Sequence, residues 1–170
     1  IYTVFHIPSR IRKQYRFGFS KTEGDIIVAV DSDNSYPMRD IPHLVEILEK
    51  ENIDFLSTNR FSEMNPGSMR WLNRIGNRGL TLAANLLYDL RLRDSQSGMW
   101  VFRKNILDKI NLTADGMALS QEIKIEAFEK FKAKEIDSSY YKRKGESKLA
   151  VFKDGFLNLF HLIKKKFNLL

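Results

Sequence analysis

The run Ile26-Ile27-Val28-Ala29-Val30 constrains this chain more than any other stretch. Five apolar residues in succession, four of them β-branched, describe a strand buried on both faces of a sheet. Strands of that kind lie inside parallel sheets with helices on either side, so the run predicts an α/β architecture. It stops abruptly at Asp31-Ser32-Asp33, followed by Asn34-Ser35 and Pro37, residues that form turns. In open α/β sheets the ligand crevice lies beyond the carboxyl ends of the strands. Two carboxylates at that edge suit a hard cation, Mg²⁺ or Mn²⁺, which would in turn hold substrate phosphates. They equally suit a polar strand end that caps its own turn.

Composition narrows the setting. A length of 170 residues with 43% hydrophobic content is one ordinary globular domain with room for a substantial core. The chain has no cysteine, which excludes a disulfide framework and any thiolate metal site. No apolar run approaches the roughly 18 residues that a membrane-spanning helix needs. The net charge of +7 calls for an anionic partner: a nucleotide sugar, a lipid phosphate, an anionic membrane surface or nucleic acid.

Along the chain, Ile1 to Ile7 is apolar and is followed by Pro8-Ser9 and a basic run from Arg10 to Arg16. That run is either a phosphate contact or a solvated helix face. Asp40 and Pro42 open a helix to about Lys50, and Ile53–Ser57 is a short strand leading into Thr58-Asn59-Arg60-Phe61. The spacing predicts a loop over 62–68 and a long helix over 69–88. Leu72, Ile75, Gly79, Leu82, Ala83, Leu86 and Leu87 form its core stripe, and Gly76 and Gly79 mark a close approach by backbone or ligand. Met99–Phe102 reads as a strand and Asn105–Ile110 as a short helix. Ser120 caps a helix that buries Ile123, Ala127, Phe128 and Phe131. Glu135–Tyr141 is an edge strand, and Lys153–Leu170 an amphipathic helix carrying Lys164-Lys165-Lys166, docked on the domain or set in a membrane interface.

Several segments resemble one family. Gly24-Asp25-Ile26-Ile27-Val28-Ala29-Val30-Asp31-Ser32-Asp33-Asn34-Ser35-Tyr36-Pro37 resembles the GDI-hydrophobic-DxD segment of family 2 glycosyltransferases with the GT-A fold. Asp94-Ser95-Gln96-Ser97-Gly98-Met99-Trp100 is similar to their Asp-x-x-Ser-Gly-Phe/Met-Arg motif, with Trp100 where Arg is common. Arg143-Lys144-Gly145-Glu146-Ser147-Lys148-Leu149 resembles the Arg-x-Gly-Glu-Ser-Lys-Leu segment of the dolichyl-phosphate mannosyl- and glucosyltransferase branch.

The resemblance implies a Rossmann-like GT-A α/β fold over residues 1–152 with a mixed, mostly parallel sheet. It also implies that the family's first strand and nucleotide-base loop are missing. Residues 153–170 would be an appended amphipathic helix. The implied activity is metal-dependent, inverting transfer of a hexose from a GDP-mannose- or UDP-glucose-type donor to dolichyl or polyprenyl phosphate, at the cytoplasmic face of a membrane. Asp31 and Asp33 would hold Mg²⁺ or Mn²⁺; Arg60, Arg143 and Lys148 would meet the diphosphate; Arg70, Asp94, Ser97 and Gly98 would bind substrate. Glu122 matches an acidic position near the acceptor and is the base in an alternative reading with a glycan or protein hydroxyl acceptor. Glu122 also suits the helix dipole without any catalytic role. A non-catalytic nucleic-acid- or membrane-binding module would explain the charge. It would leave unexplained an acidic pair that repels phosphate unless a metal intervenes, so no nucleic-acid partner is expected.

Overall fold

The computed structural model describes residues 2–7, 11–114, 117–144 and 151–169. Five strands form one sheet in the order β1-β2-β4-β3-β5: β1 Tyr2–Ile7, β2 Ile26–Asp31, β3 Phe55–Met64, β4 Met99–Arg103 and β5 Ala133–Tyr140. β1 runs parallel to β2, and β5 parallel to β3, while β4 lies between β2 and β3 antiparallel to both. The hydrophobic run is therefore an interior strand with a parallel neighbour on one side only. This inverted β4 positions the site. Its amino end lies at the same edge as the carboxyl ends of the other four strands, so the loop that enters it faces the end of β2.

The continuous apolar run is explained by the two faces it serves. Ile27 and Ala29 join Tyr15, Phe19, Phe55, Trp100 and Phe102 in one core. Ile26, Val28 and Val30 join Ile41, Leu44, Leu48, Leu56 and Val101 in the other. Helix α1 (Ile11–Lys21) and helix α4 (Ala118–Lys130) supply residues to the first face; α2 (Ile41–Lys50) covers the second. Asp40 precedes α2 as expected, but its side chain makes no capping hydrogen bond.

Five expectations change. β3 runs on to Met64, because beyond an irregularity between Asn59 and Glu63 it resumes pairing with β5. The short helix expected at 105–110 is a 3₁₀ segment, Lys104–Asp108. Helix α4 begins at Ala118, so Ser120 is no cap; its hydroxyl donates to the Ser97 carbonyl at 3.4 Å. And the stripe expected to be core on α3 (Trp71–Tyr88) faces outward: Ile75, Leu82 and Leu86 are exposed, while Thr81, Ala84 and Tyr88 are buried. A Cβ at Gly76 or Gly79 would meet open space, so neither glycine marks a close approach by backbone; Gly76 instead lines the cleft described below.

Helix α5 (Val151–Lys166) packs on α3 and α4. Leu162 is buried with Ala84, Tyr88 and Ile125, and the Tyr88 hydroxyl donates to the Leu162 carbonyl at 2.9 Å. Its aromatic stripe Phe156 and Phe160, with Ile163, points away from the domain, and Phe167 just beyond its end is exposed too.

Candidate active site

The edge beyond the strands holds a cleft of about 300 Å³ lined by Asp31, Arg60, Arg70, Asn77, Gln96, Tyr140 and Arg143, among others. Residues from β2, β3, the start of α3, the loop before β4 and the segment after β5 thus converge, as the topology requires. Asp31, Arg60, Arg70 and Arg143 are brought together as the sequence suggested. Gln96 and Tyr140 were not foreseen; a residue inside a matched motif and a strand-end tyrosine carry no distinctive signal of their own.

The acidic turn is tightly built. Asp33 Oδ1 accepts hydrogen bonds from the backbone N–H (3.0 Å) and the hydroxyl of Ser35. Asn34 adopts φ 61°, a left-handed conformation that asparagine tolerates better than most residues. The strand end after β5 is stitched to this turn: Tyr141 N–H donates to the Ser35 carbonyl at 3.0 Å, and Lys144 N–H to the Asp33 carbonyl at 2.8 Å. Arg143 Nε lies 3.4 Å from Asp33 Oδ2, and its Nη2 donates to the Tyr140 hydroxyl at 3.3 Å. The basic segment therefore begins on top of the acidic pair. Lys148, expected to act with Arg143, lies outside the described residues.

Asp31 is the electrostatically exposed member of the pair. Burial, and then the neighbouring Asp33 carboxylate, push its pKa up to about 6, although Arg60, Arg143 and Lys124 pull the other way. Two carboxylates with a cation deficit are what a divalent ion would relieve. Among the described residues no group of three or more His, Cys, Asp or Glu side chains converges as a complete metal site. An ion on Asp31 and Asp33 would thus draw its remaining ligands from water and diphosphate oxygens.

Behind the cleft wall lies a buried network that the sequence placed one layer too far forward. Asp94 and Ser97 are fully buried, so they form the floor beneath the cleft. Arg60 clamps Asp94 through two contacts, Nε to Oδ2 at 2.6 Å and Nη2 to Oδ1 at 2.8 Å. Burial alone would raise the Asp94 pKa, but Arg60 outweighs it and holds the carboxyl below its ordinary range. Ser97 bonds Thr58 Oγ1 at 2.7 Å, and its carbonyl accepts from Trp100 Nε1 at 2.8 Å. Trp100 is buried and stacks on Tyr15, with no side-chain access to the cleft.

Gly98 is the residue that admits Asp31. A Cβ built there would sit 2.1 Å from Asp31 Oδ2, far inside van der Waals contact. The backbone N–H of Asp31 also donates to the Gly98 carbonyl at 3.1 Å, and Gly98 N–H to the Tyr36 hydroxyl at 2.6 Å. Gly98→Ala must therefore displace the Asp31 carboxylate. We expect affinity for Mn²⁺ with a nucleoside diphosphate to fall by at least about 100-fold while the far-ultraviolet spectrum is unchanged; calorimetric titration checks it, and unaltered affinity would separate Asp31 from the ion.

Glu122 lies elsewhere. Its carboxylate is fully buried and accepts from the N–H and hydroxyl of Thr113 (3.0 and 2.7 Å), Ala114 N–H (2.8 Å), Lys165 Nζ (2.8 Å) and His161 Nε2 (3.3 Å). Burial raises its pKa; the bonds from His161, Lys165 and Thr113 overcome that and set it at about 2. A carboxylate so occupied, outside the cleft lining, is a poor proton acceptor. The base role expected of it in the alternative reading does not fit.

Residues 2–111 match the sequence profile of glycosyl transferase family 2. The chain belongs to this family. It is 32% identical over 145 residues to the low-salt glycan biosynthesis hexosyltransferase of Haloferax volcanii, covering 84% of this chain and 35% of that protein. It is 30% identical over 131 residues to the dolichyl-phosphate hexose transferase of the same organism, covering 76% and 56%. Among solved structures, glucosyl-3-phosphoglycerate synthase from Mycobacterium tuberculosis, in complex with Mn²⁺, UDP-glucose and phosphoglyceric acid, superposes with a TM-score of 0.70 at 18% identity, covering 94% of this chain and 56% of that one. The fold is GT-A. The chain spans about a third to a little over half the length of these relatives.

Proposed function

We propose that this family 2 chain transfers a hexose from a nucleotide-diphosphate sugar to dolichyl or polyprenyl phosphate, at a membrane surface. The observation that carries the lipid acceptor is the outward apolar face of the two helices that frame the cleft. Trp71 (68% exposed), Ile75, Leu82 and Leu86 (76% exposed) recur on one side of α3, and Phe156 (68% exposed), Phe160 and Ile163 on one side of α5, with Phe167 exposed just past its end. The amino-terminal parts of the same helices line the cleft, through Arg70, Asn73 and Asn77 of α3 and its approach, and Asp154, Gly155 and Asn158 of α5. A monomeric domain in water rarely keeps so many large side chains exposed together. Arg74, Arg78, Lys164 and Lys166 stand among them, suited to anionic headgroups at on the order of 1 kcal/mol each.

The chemistry follows from charge. A divalent ion on Asp31 and Asp33 would neutralise the departing diphosphate; the glucosyl-3-phosphoglycerate synthase of the same fold was crystallised with Mn²⁺. Arg143, already placed over Asp33, is positioned to turn to the diphosphate as charge develops there. A phosphate oxygen of the acceptor attacks the anomeric carbon as its bond to the diphosphate oxygen breaks, inverting configuration. The lipid phosphate is ionised at neutral pH, so no proton needs removing. That agrees with the absence of a histidine from the cleft lining among the described residues and with the engagement of Glu122 elsewhere.

The test is a paired assay. Phe156→Glu together with Phe160→Glu should lower transfer to dolichyl phosphate in anionic vesicles by at least about tenfold. Hydrolysis of the donor in solution should be unchanged, since both side chains are solvent-exposed. Transfer at the wild-type rate would remove the membrane-facing role of α5.

A further inference from the structure

α4 is buried on nearly every side, and most of its buried polar atoms are paired, Gln121 Oε1 being the exception. Glu122 and Glu126 reach toward α5 and the 111–114 segment. Ser120, Gln121 and Lys124 reach the other way, to the loop that ends at Gly98. Ser120 Oγ meets the Ser97 carbonyl at 3.4 Å, Gln121 Nε2 meets Ser95 Oγ at 2.9 Å, and Lys124 Nζ donates to the Asp94 carbonyl at 3.0 Å. Lys124 is the costly member: its side chain is fully buried, with its ammonium 6.0 Å from the Trp100 ring centroid. Burial pulls its pKa down to about 7, against the opposing fields of Asp94, Glu135 and Asp31. Burying an ammonium is unfavourable unless it is well paired, and an apolar side chain of the same length would fill the space at less cost.

The function of that loop gives the lysine a purpose. Asp94 fixes Arg60 from one end of the loop, and Gly98 abuts the Asp31 carboxylate from the other. A displacement at the Asp94 carbonyl is therefore transmitted to a cleft-lining guanidinium and to a candidate ion ligand together. We propose that Lys124 is a positioning residue for sugar transfer, pinning the Asp94–Gly98 loop so that Arg60 and Asp31 hold their places at the cleft. This rests on the glycosyltransferase reading above.

Lys124→Met keeps length and volume and removes the donor. Two opposing changes, a lost hydrogen bond and a relieved buried charge, should leave the melting temperature close to wild type. Hydrogen exchange should nevertheless quicken at least about tenfold at the amides of Asp94, Gln96 and Gly98, which are protected by Glu135, the Asp94 carboxylate and Tyr36. The kcat for hexose transfer should fall by about 100-fold, the scale of an ångström-sized misplacement. Lys124→Arg, which keeps a cationic donor, should recover part of the loss.

A lower melting temperature with wild-type kcat and loop exchange would make Lys124 merely structural and overturn the proposal, as would wild-type values of all three. If the unaltered protein transfers no hexose, the glycosyltransferase reading fails, and the exchange measurement still decides whether Lys124 pins the loop.

Discussion

Asp31→Asn should abolish hexose transfer while making the fold more stable. The two effects share one cause. The Asp31 carboxyl has a pKa of about 6 against an ordinary 3.8, because it is buried beside Asp33. A folded-state pKa raised in an acid means that the native state binds the proton more tightly than the unfolded state. Its stability cost is absent below about pH 4, grows as pH rises to about 6, and is complete above that. The shift corresponds to on the order of 2 kcal/mol at neutral pH after allowance for the partial exposure of Asp31. The asparagine variant should therefore melt several degrees higher at pH 7.5 and at nearly the same temperature at pH 4. Transfer should fall by at least about 1,000-fold, since the ion ligand and its charge are both lost. Calorimetry and a radiolabel assay on one preparation check the two halves. A variant that keeps its activity with EDTA present would show that the acidic pair holds no ion.

Glu122→Gln should do the reverse, costing stability and sparing chemistry. The carboxyl is held at a pKa of about 2, well below its ordinary 4.5, by His161, Lys165 and Thr113. A depressed folded-state pKa contributes stability that is present above about pH 4.5 and lost as pH falls toward 2. At neutral pH it amounts to about 3 kcal/mol, or roughly 10 °C in melting temperature for a domain of this size. The variant should lose this across the neutral range and show a flatter acid limb in a plot of melting temperature against pH. Its kcat per folded molecule should stay within about twofold of wild type. A 100-fold fall in kcat at an unchanged melting temperature would restore Glu122 as a general base.

Part of this site is legible in the sequence and part is not. Ile26–Val30 and the carboxylates after it declared the buried strand and the edge of the sheet, because burial on both faces leaves no polar alternation to confuse the pattern. The convergence of Asp31, Arg60, Arg70 and Arg143 followed from matched segments whose ends meet at that edge. Depth could not be read. Asp94 and Ser97 lie under the cleft because Arg60 and Thr58 draw them inward, and spacing along the chain does not report such long-range pairs. Periodicity located α3 but assigned its exposed apolar stripe to the core, since a membrane-suited face and a core face have the same period. In α4 the sequence marks Ile123, Ala127, Phe128 and Phe131 as the buried face, yet the charged residues Glu122, Lys124 and Glu126 are buried as well. Their partners, 4 to 43 residues away, make that burial tolerable.

We propose metal-dependent transfer to a lipid phosphate in the cleft framed by α3 and α5. The direct measurement offers the protein a radiolabelled GDP-mannose or UDP-glucose with dolichyl phosphate in anionic vesicles and a soluble oligosaccharide in the same tube, with Mn²⁺ or with EDTA. Label should appear in the lipid fraction for one of the donors and be lost with EDTA. Label in the oligosaccharide alone, or label in the lipid that survives EDTA, would contradict it.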